Sequence, residues 1–530
     1  MKSQFLLIWQ KYSNKYWLVV LVVGLIYLFT RLFNLLSLPV FADESIYIRW
    51  AQLMRHDSIY LFFSLNDGKP PLFIWLVAGL LSFVANPLFA GRLVSVLAGL
   101  IQLWVGDHIL QELKANRLAR AVQALVIVIT PFWFFHHRIA LMDSLLVLGL
   151  SISWWGLLRL DSVISKKGSL SWRKVVVNSL VTGFGWGLAL LTKTPALFFA
   201  PVIVGWAYAG RFADWTEYKN QATWRLFIWR TLGFGLAGLS GLALFGLLKI
   251  HPAFGSLFTR SNDFTFTISE LLSGEWRVTI DNLGRALSWL STYLRPEFMS
   301  LPFIALLVSR RRTLHWRILA GAGLLALPFI VFGRTVHPRY YLPTAPFLTA
   351  SGALFVSEIW RQVKKYQNAN IQLVFWLLVL SFLIGSLRFM FLSWFTPNQT
   401  PFVLADRSQY LTEWSSGHGI NEVRDLMIEE VRDGDRLTVV TEGSFGTLPD
   451  ALLMYFDNRP EIKYLRIEGL AQYPVKSIPD WVWEEADDHQ TWLVVNANRL
   501  EVQDERLKLK AQYPRPYGAP ELQVYELQAK

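Results

Sequence analysis

Cysteine is absent from this chain. Disulfides, a thiolate nucleophile and any Cys-based metal site are therefore excluded, and the compartment is left open. Charge is also scarce, at 17% of the 530 residues. No internal repeat and no low-complexity tract stand out. Residues 1–20 lack the form of a signal peptide. Lys11 and Lys15 interrupt the early apolar residues, and no small-x-small cleavage site precedes Asp43. The first apolar run is expected to remain in the chain as a span.

Apolar residues fill the space that charge leaves. They make 53% of the chain, and Trp, Tyr and Phe together make 15%. Many runs approach the ~20 residues that cross a bilayer. The aromatic residues suit interfacial belts. This composition predicts a multi-span membrane protein. The net charge of +12 conceals two opposite parts: residues 400–530 carry −9 and residues 1–399 carry +21. Most of the basic excess lies in short loops between apolar runs, where it sets orientation. Nucleic-acid binding does not follow from it.

Spans are expected near 16–36, 92–110, 121–136, 143–158, 175–191, 196–210, 231–250, 293–309, 316–333, 340–358 and 371–392. The block at 71–85 is ambiguous, and charge decides it. If that block lies on the outer side, the N-terminus and the loops at 113–120, 159–174, 211–230, 310–317 and 361–365 face the cytoplasm. They then hold 22 of the 37 Lys and Arg residues before position 400, as the positive-inside rule requires. Arg310, Arg311 and Arg312 are the strongest marker. The resulting fold class is a mostly α, polytopic membrane helix bundle of about eleven spans. It occupies residues 1–395, with a first outer loop at 37–91 and a long one at 251–292.

Residues 396–530 read as a small extracytoplasmic α/β domain after a polar joint, Thr396 to Pro401. Helices are expected at 419–431 and 448–456. Strands are expected at 437–441, 462–467, 492–495 and 522–526. Asp433-Gly434 marks a turn. Gly443 to Gly446 follows a strand, as an anion-binding nest or a simple turn.

Four outer-face signals carry the chemistry. Asp43 and Glu44 sit where a span meets water. Such a carboxylate acts as a general base, or the pair holds a divalent cation, or both simply end a span. Lys69, stiffened by Pro70 and Pro71, suits a lipid phosphate as a point charge, or snorkels. His136, His137, Arg138 and Asp143 form the third signal. Asp143 is also explained by a helix N-terminus, and two His residues are a weak metal set. His337, Arg339, Tyr340 and Tyr341 form the fourth, as a phosphate-binding arginine with aromatic faces or as an interfacial anchor.

Taken in order, these pieces resemble a known family. They are Asp43 to Tyr47, Lys69 to Trp75, Arg92 to Gly99, Arg138 to Asp143, Leu191 to Pro195 and Arg339 to Pro346. The ordered set resembles the GT-C superfamily of integral membrane glycosyltransferases. It is most similar to the branch holding the protein O-mannosyltransferases and the aminoarabinose transferases of lipid A. The resemblance spans residues 31–350. It implies a sugar donor on a polyprenyl phosphate, used on the outer face, and a lipid, glycan or protein acceptor. It implies Asp43 as catalytic carboxylate, with Glu44 orienting it or touching the acceptor. Asp143 matches a second outer acidic position, Lys69 matches the lysine taken to contact donor phosphate, and Arg339 sits in the motif closing the same cavity. Lys69, Arg138 or Arg339 is expected to neutralise the departing phosphate, with His337, Tyr340 and Lys193 as further donor-phosphate candidates. Lys193 stands in Lys-Thr-Pro where the family often has Lys-Gly-Pro. No cofactor is implied with certainty, a divalent cation being possible at Asp43 and Glu44. A transporter or lipid flippase is the rival class; it predicts mid-membrane charges and repeats. Because the chain has no cysteine, a single Arg311→Cys variant should react with an impermeant thiol reagent only after the cytoplasmic side is opened. Labelling in intact cells would overturn the assigned orientation.

Overall fold

The computed structural model describes residues 16–165, 171–208, 221–259, 261–366, 368–431, 436–457 and 464–528. The N-terminal lysines, parts of the loops at 159–174 and 211–230, the Asp433-Gly434 turn and the start of the strand expected at 462 lie outside the described residues.

Each expected span has a helical counterpart. In order they are Tyr16–Leu32, Pro87–Glu112, Arg117–Ile129 with Pro131–His136, Met142–Ser165, Trp172–Leu190, Thr194–Phe199 with Ala200–Tyr208, Gln221–Gly246, Pro296–Val308, Arg312–Phe332, Ala345–Tyr366 and Ala369–Phe395. Among the described residues, five helices are long and apolar enough to cross a membrane unaided. The ambiguous block forms Leu72–Leu80, only 9 residues long. At 1.5 Å per residue that is about 14 Å, half the hydrocarbon thickness. Its length fits a segment that enters from one side.

Two boundaries differ from expectation. The span placed at 293–309 is broken at Arg295, where φ is +69°. Before the break runs Arg277–Leu294, whose buried Asn282, Ala286, Leu290 and Tyr293 follow helical spacing. The long segment at 251–292 is therefore helical at its C-terminal end. Pro131 divides the span at 121–136 by removing a helical hydrogen bond.

Arginines close two helix ends. Arg31 donates to the carbonyls of Ile127 (2.6 Å) and Val128 (2.5 Å). Arg138 in turn donates to the carbonyls of Arg31 (2.7 Å), Phe33 (2.8 Å) and Asn34 (2.7 Å). Helix C-termini leave four carbonyls without partners, and cations there also complement the dipole. Both side chains are buried.

The C-terminal domain holds a five-stranded sheet: β1 (Leu437–Thr441), β2 (Leu465–Gly469), β3 (Gln490–Asn496), β4 (Leu507–Tyr513) and β5 (Leu522–Leu527). The order is β2-β1-β3-β5-β4. β1 is parallel to β2 and β3, and β5 is antiparallel to β3 and β4. β1 is buried throughout, as a central parallel strand must be. β4 and the helix Asp480–Asp488 were not expected. β4 alternates Leu507, Lys508, Leu509 and Lys510, the lysine-bearing pattern that protects an edge.

The helices Met142–Ser165 and Trp172–Leu190 meet backbone to backbone. A methyl added at Gly149 would stand 2.8 Å from the Gly185 carbonyl oxygen. Small residues allow such approaches in membranes. Gly149→Leu should therefore cost about 1–3 kcal/mol through overpacking, seen as a lowered thermal midpoint in detergent. An unchanged midpoint would show that this contact loosens freely.

Candidate active site

The helix Ala42–His56 opens the site. Its start is fixed by Glu44, whose carboxylate accepts the Phe41 N–H (3.0 Å) and the Ala140 N–H (2.6 Å). Arg92 grips the same carboxylate with two bonds of 2.9 and 2.8 Å. Both side chains are wholly buried. Arg92 also donates to the carbonyls of Leu35 (2.9 Å), Leu38 (3.0 Å) and Pro39 (3.0 Å). Glu44 is thus a fixed anchor inside the fold.

Helical spacing then separates two faces of Ala42–His56. Ser45, Arg49, Gln52 and His56 hold the C-terminal domain. Ser45 donates to the Gly446 carbonyl (3.0 Å), Gln52 to the Met454 carbonyl (2.8 Å), and Arg49 pairs with Asp457 (2.7 Å), which also meets His56 (2.9 Å). Asp43, Tyr47 and Trp50 occupy the other stripe. Strand-like bonds reinforce the seam: Ala42 N–H to Ser415 O (2.9 Å) and Gly417 N–H to Val40 O (2.7 Å).

Four of the sequence signals meet around Asp43. Arg339 lies 3.2 Å from its carboxylate. His337 and Arg339 share Gln409: Arg339 donates to its amide oxygen (2.8 Å), and its amide nitrogen lies 2.7 Å from the His337 ring. Lys193 pairs with Asp143 (2.8 Å) and sits 5.0 Å from the Tyr340 ring centre, while Arg339 lies 5.7 Å from that ring. Lys69 pairs with Asp67 (2.7 Å) beside the rings of Tyr47 and Trp50. Residues spread over three hundred positions therefore converge.

Burial raises the Asp43 carboxyl, but Arg339, Lys69 and Lys193 more than offset it. The group is held below the usual carboxylate range. Burial, with Arg339 beside it, pushes the His337 imidazole down to about 3, so it is neutral at physiological pH. Asp406 is pushed up to about 7 by burial, against the Tyr293 O–H that it accepts.

Arg138 is not brought to this cluster. Both of its terminal guanidinium nitrogens donate to the carbonyls that end the first helix, so it serves there as a cap. His136 and His137 are buried within the bundle, and His137 contacts the Tyr27 hydroxyl at 3.0 Å. Glu44 does not face the same space as Asp43, because Arg92 holds it. The two acids therefore do not form a divalent-cation cradle. Among the described residues no group of three or more His, Asp or Glu side chains is placed to hold a metal. Gly443 to Gly446 is a turn: the Ser444 N–H donates to the Tyr473 hydroxyl and the Gly446 N–H to Asp450. Gln409 and Asp406 were missed; they lie in short helical turns just after the joint, where no local pattern marks either. Cavities of about 430 and 320 Å³ lie elsewhere, one lined by Arg159 and Lys174, the other by Gln52 and Tyr455.

Arg92→Met should destabilise the chain by about 3–5 kcal/mol, because it strands a buried carboxylate. Adding Glu44→Leu should recover much of that loss in thermal unfolding. A double variant no more stable than the single one would show that Glu44 does not depend on Arg92.

Residues 59–252 match the family model of dolichyl-phosphate-mannose-protein mannosyltransferases. No curated protein matches the chain in a sequence search. Among solved structures, ArnT from Cupriavidus metallidurans bound to undecaprenyl phosphate aligns with a TM-score of 0.59 at 13% identity, covering 97% of this chain and 98% of that one. The oligosaccharyltransferase of Archaeoglobus fulgidus, tethered to an acceptor peptide, aligns with a TM-score of 0.52 at 12% identity, covering 92% and 70%. At such identities the likeness is one of fold. The chain is a polytopic membrane protein of the GT-C glycosyltransferase fold, and it resembles the protein O-mannosyltransferase and aminoarabinose transferase branch.

Proposed function

We propose that this protein moves a sugar from a polyprenyl-phosphate donor to an acceptor hydroxyl on the extracytoplasmic face, with inversion. One observation carries the reading: a partly exposed, ionised Asp43 stands beside Arg339, within electrostatic reach of Lys69 and Lys193. A carboxylate and a set of cations in one place suit the two charge changes of the reaction. Asp43 takes the acceptor proton as the oxygen attacks the anomeric carbon. The bond from that carbon to phosphate breaks, and its electron pair leaves on the polyprenyl phosphate. Arg339, Lys69 and Lys193 stabilise that developing charge, which is worth most where water is excluded. The ArnT structure bound to undecaprenyl phosphate supports a lipid-phosphate donor.

The neighbours have supporting roles. Asp143 positions Lys193, and Gln409 sets Arg339 and the neutral His337. Tyr340 lies against both Lys193 and Arg339. Glu44 orients Asp43 through the helix start alone. The short helix Leu72–Leu80 offers an apolar flank for the lipid tail. The N-terminus faces the cytoplasm and the C-terminal domain the exterior.

In the free protein the three cations make Asp43 a weak base. Donor phosphate draws them away, so the carboxylate becomes more basic once the donor is bound. Protonation of Asp43 abolishes its role, so activity falls as pH drops through its pKa. The acidic limb of kcat/KM, which reports the free enzyme, should thus lie at lower pH than that of kcat. Asp43→Asn should reduce transfer by roughly 10²–10⁴-fold, measured in membranes supplied with polyprenyl-phosphate sugar. Undiminished transfer would remove Asp43 from the mechanism.

A further inference from the structure

The C-terminal sheet has a switch in its strand order. From β1 the chain goes to β2 on one flank, then returns to β3 on the other. In open α/β sheets, ligands occupy the crevice outside the carboxyl ends of strands at such a point. Here that crevice carries polar groups and aromatic rings which the proposed transfer does not use. Glu442, just past β1, accepts the Asn496 backbone N–H (2.9 Å) and side-chain amide (2.6 Å) and an Arg499 bond (3.1 Å). The Arg499 guanidinium lies 4.4 Å from the Trp414 ring centre and 5.4 Å from that of Tyr473.

The rings are open to solvent. Trp414 is 36% exposed, Tyr473 48% and Phe445 60%. Phe445 belongs to the loop whose Ser444 N–H the Tyr473 hydroxyl accepts (3.0 Å). Exposed aromatic faces around a fixed charged pair are an uncommon use of surface. The place is also next to the candidate base. A methyl added at Gly446 would stand 3.4 Å from the Trp414 ring and 4.0 Å from Ala42 Cβ, and Ala42 precedes Asp43.

We propose that Trp414, Phe445 and Tyr473 form an acceptor subsite for a saccharide, seated at the carboxyl ends of β1 and β3. A pyranose has two apolar C–H faces and a rim of hydroxyls. The rings take the faces, and Arg499, fixed by the buried Glu442, meets the rim. A sugar held there extends its terminal hydroxyl past Ala42 toward Asp43. This rests on the glycosyl-transfer reading and names its acceptor class: a glycan or the glycan part of a glycolipid. Clamping of the crevice to the Asp43 helix accounts for the hydrogen bonds and ion pairs that fasten the domain there.

The test is saturation-transfer NMR on the full-length protein in detergent, with mannotriose, maltotriose and isomaltotriose as probes. Saturation should reach pyranose C–H protons of at least one probe. Phe445→Ala and Tyr473→Ala should each weaken that binding by about tenfold. Tyr464→Ala, an exposed ring beside the opposite end of β1, should leave it unchanged. Asp43→Asn should bind the probe while losing transfer, which separates this subsite from the reaction itself. No saturation with any probe, equal binding by Phe445→Ala, or saturation of a Ser/Thr peptide instead would overturn the saccharide subsite. Loss of the subsite with transfer intact would leave the glycosyltransferase reading standing.

Discussion

The geometry of the site depends on the buried pair of Glu44 and Arg92. A carboxylate and a guanidinium taken fully out of water are costly unless every bonding position is used. Here nearly all are: Glu44 receives Arg92 twice and two backbone N–H groups, and Arg92 also satisfies three carbonyls. The pair ties the turn at 35–41, the span Pro87–Glu112 and the segment at Ala140 into one body. Asp43 is adjacent to Glu44 on the same helical turn, so its direction is inherited from a neighbour locked in a buried ion pair.

The helix that carries Asp43 is shared between two domains. One stripe faces the cations of the membrane bundle, and the other is bonded to the C-terminal domain. The connector at 404–417 contributes Gln409 to the bundle side and Ser415 and Gly417 to the seam. The site is thus assembled from both domains, although all the groups assigned to proton and phosphate handling come from the first.

Much of this was readable in advance, and the limits have physical causes. Apolar run length located the helices, because a bilayer imposes it. The outer acidic, basic and aromatic positions were legible from their order, and Asp43, Lys69, Asp143, Lys193, His337, Arg339 and Tyr340 do gather. Glu44 and Arg138 were misplaced because their partners lie 48 and more than 100 residues away. A buried ion pair and a helix cap look like any other charges in a string of letters. The break at Arg295 needs a positive φ that no neighbouring glycine announces. β4 escaped because its lysines mask a half-buried alternation. Gln409 is an ordinary polar residue until the fold brings it between Arg339 and His337.

The seam between Val40–Ala42 and Ser415–Gly417 joins segments about 375 residues apart. Chains are made from the N-terminus onward and their domains fold as units. The segment Val40–Ala42 is therefore synthesised long before its partner segment exists. During that interval the Asp43 helix lacks half of its supports, and Arg339 lacks Gln409. A nascent protein cannot complete the cluster around Asp43 until residues 404–417 have been made and have docked. Docking of the two regions and assembly of the cluster are thereby made the same event.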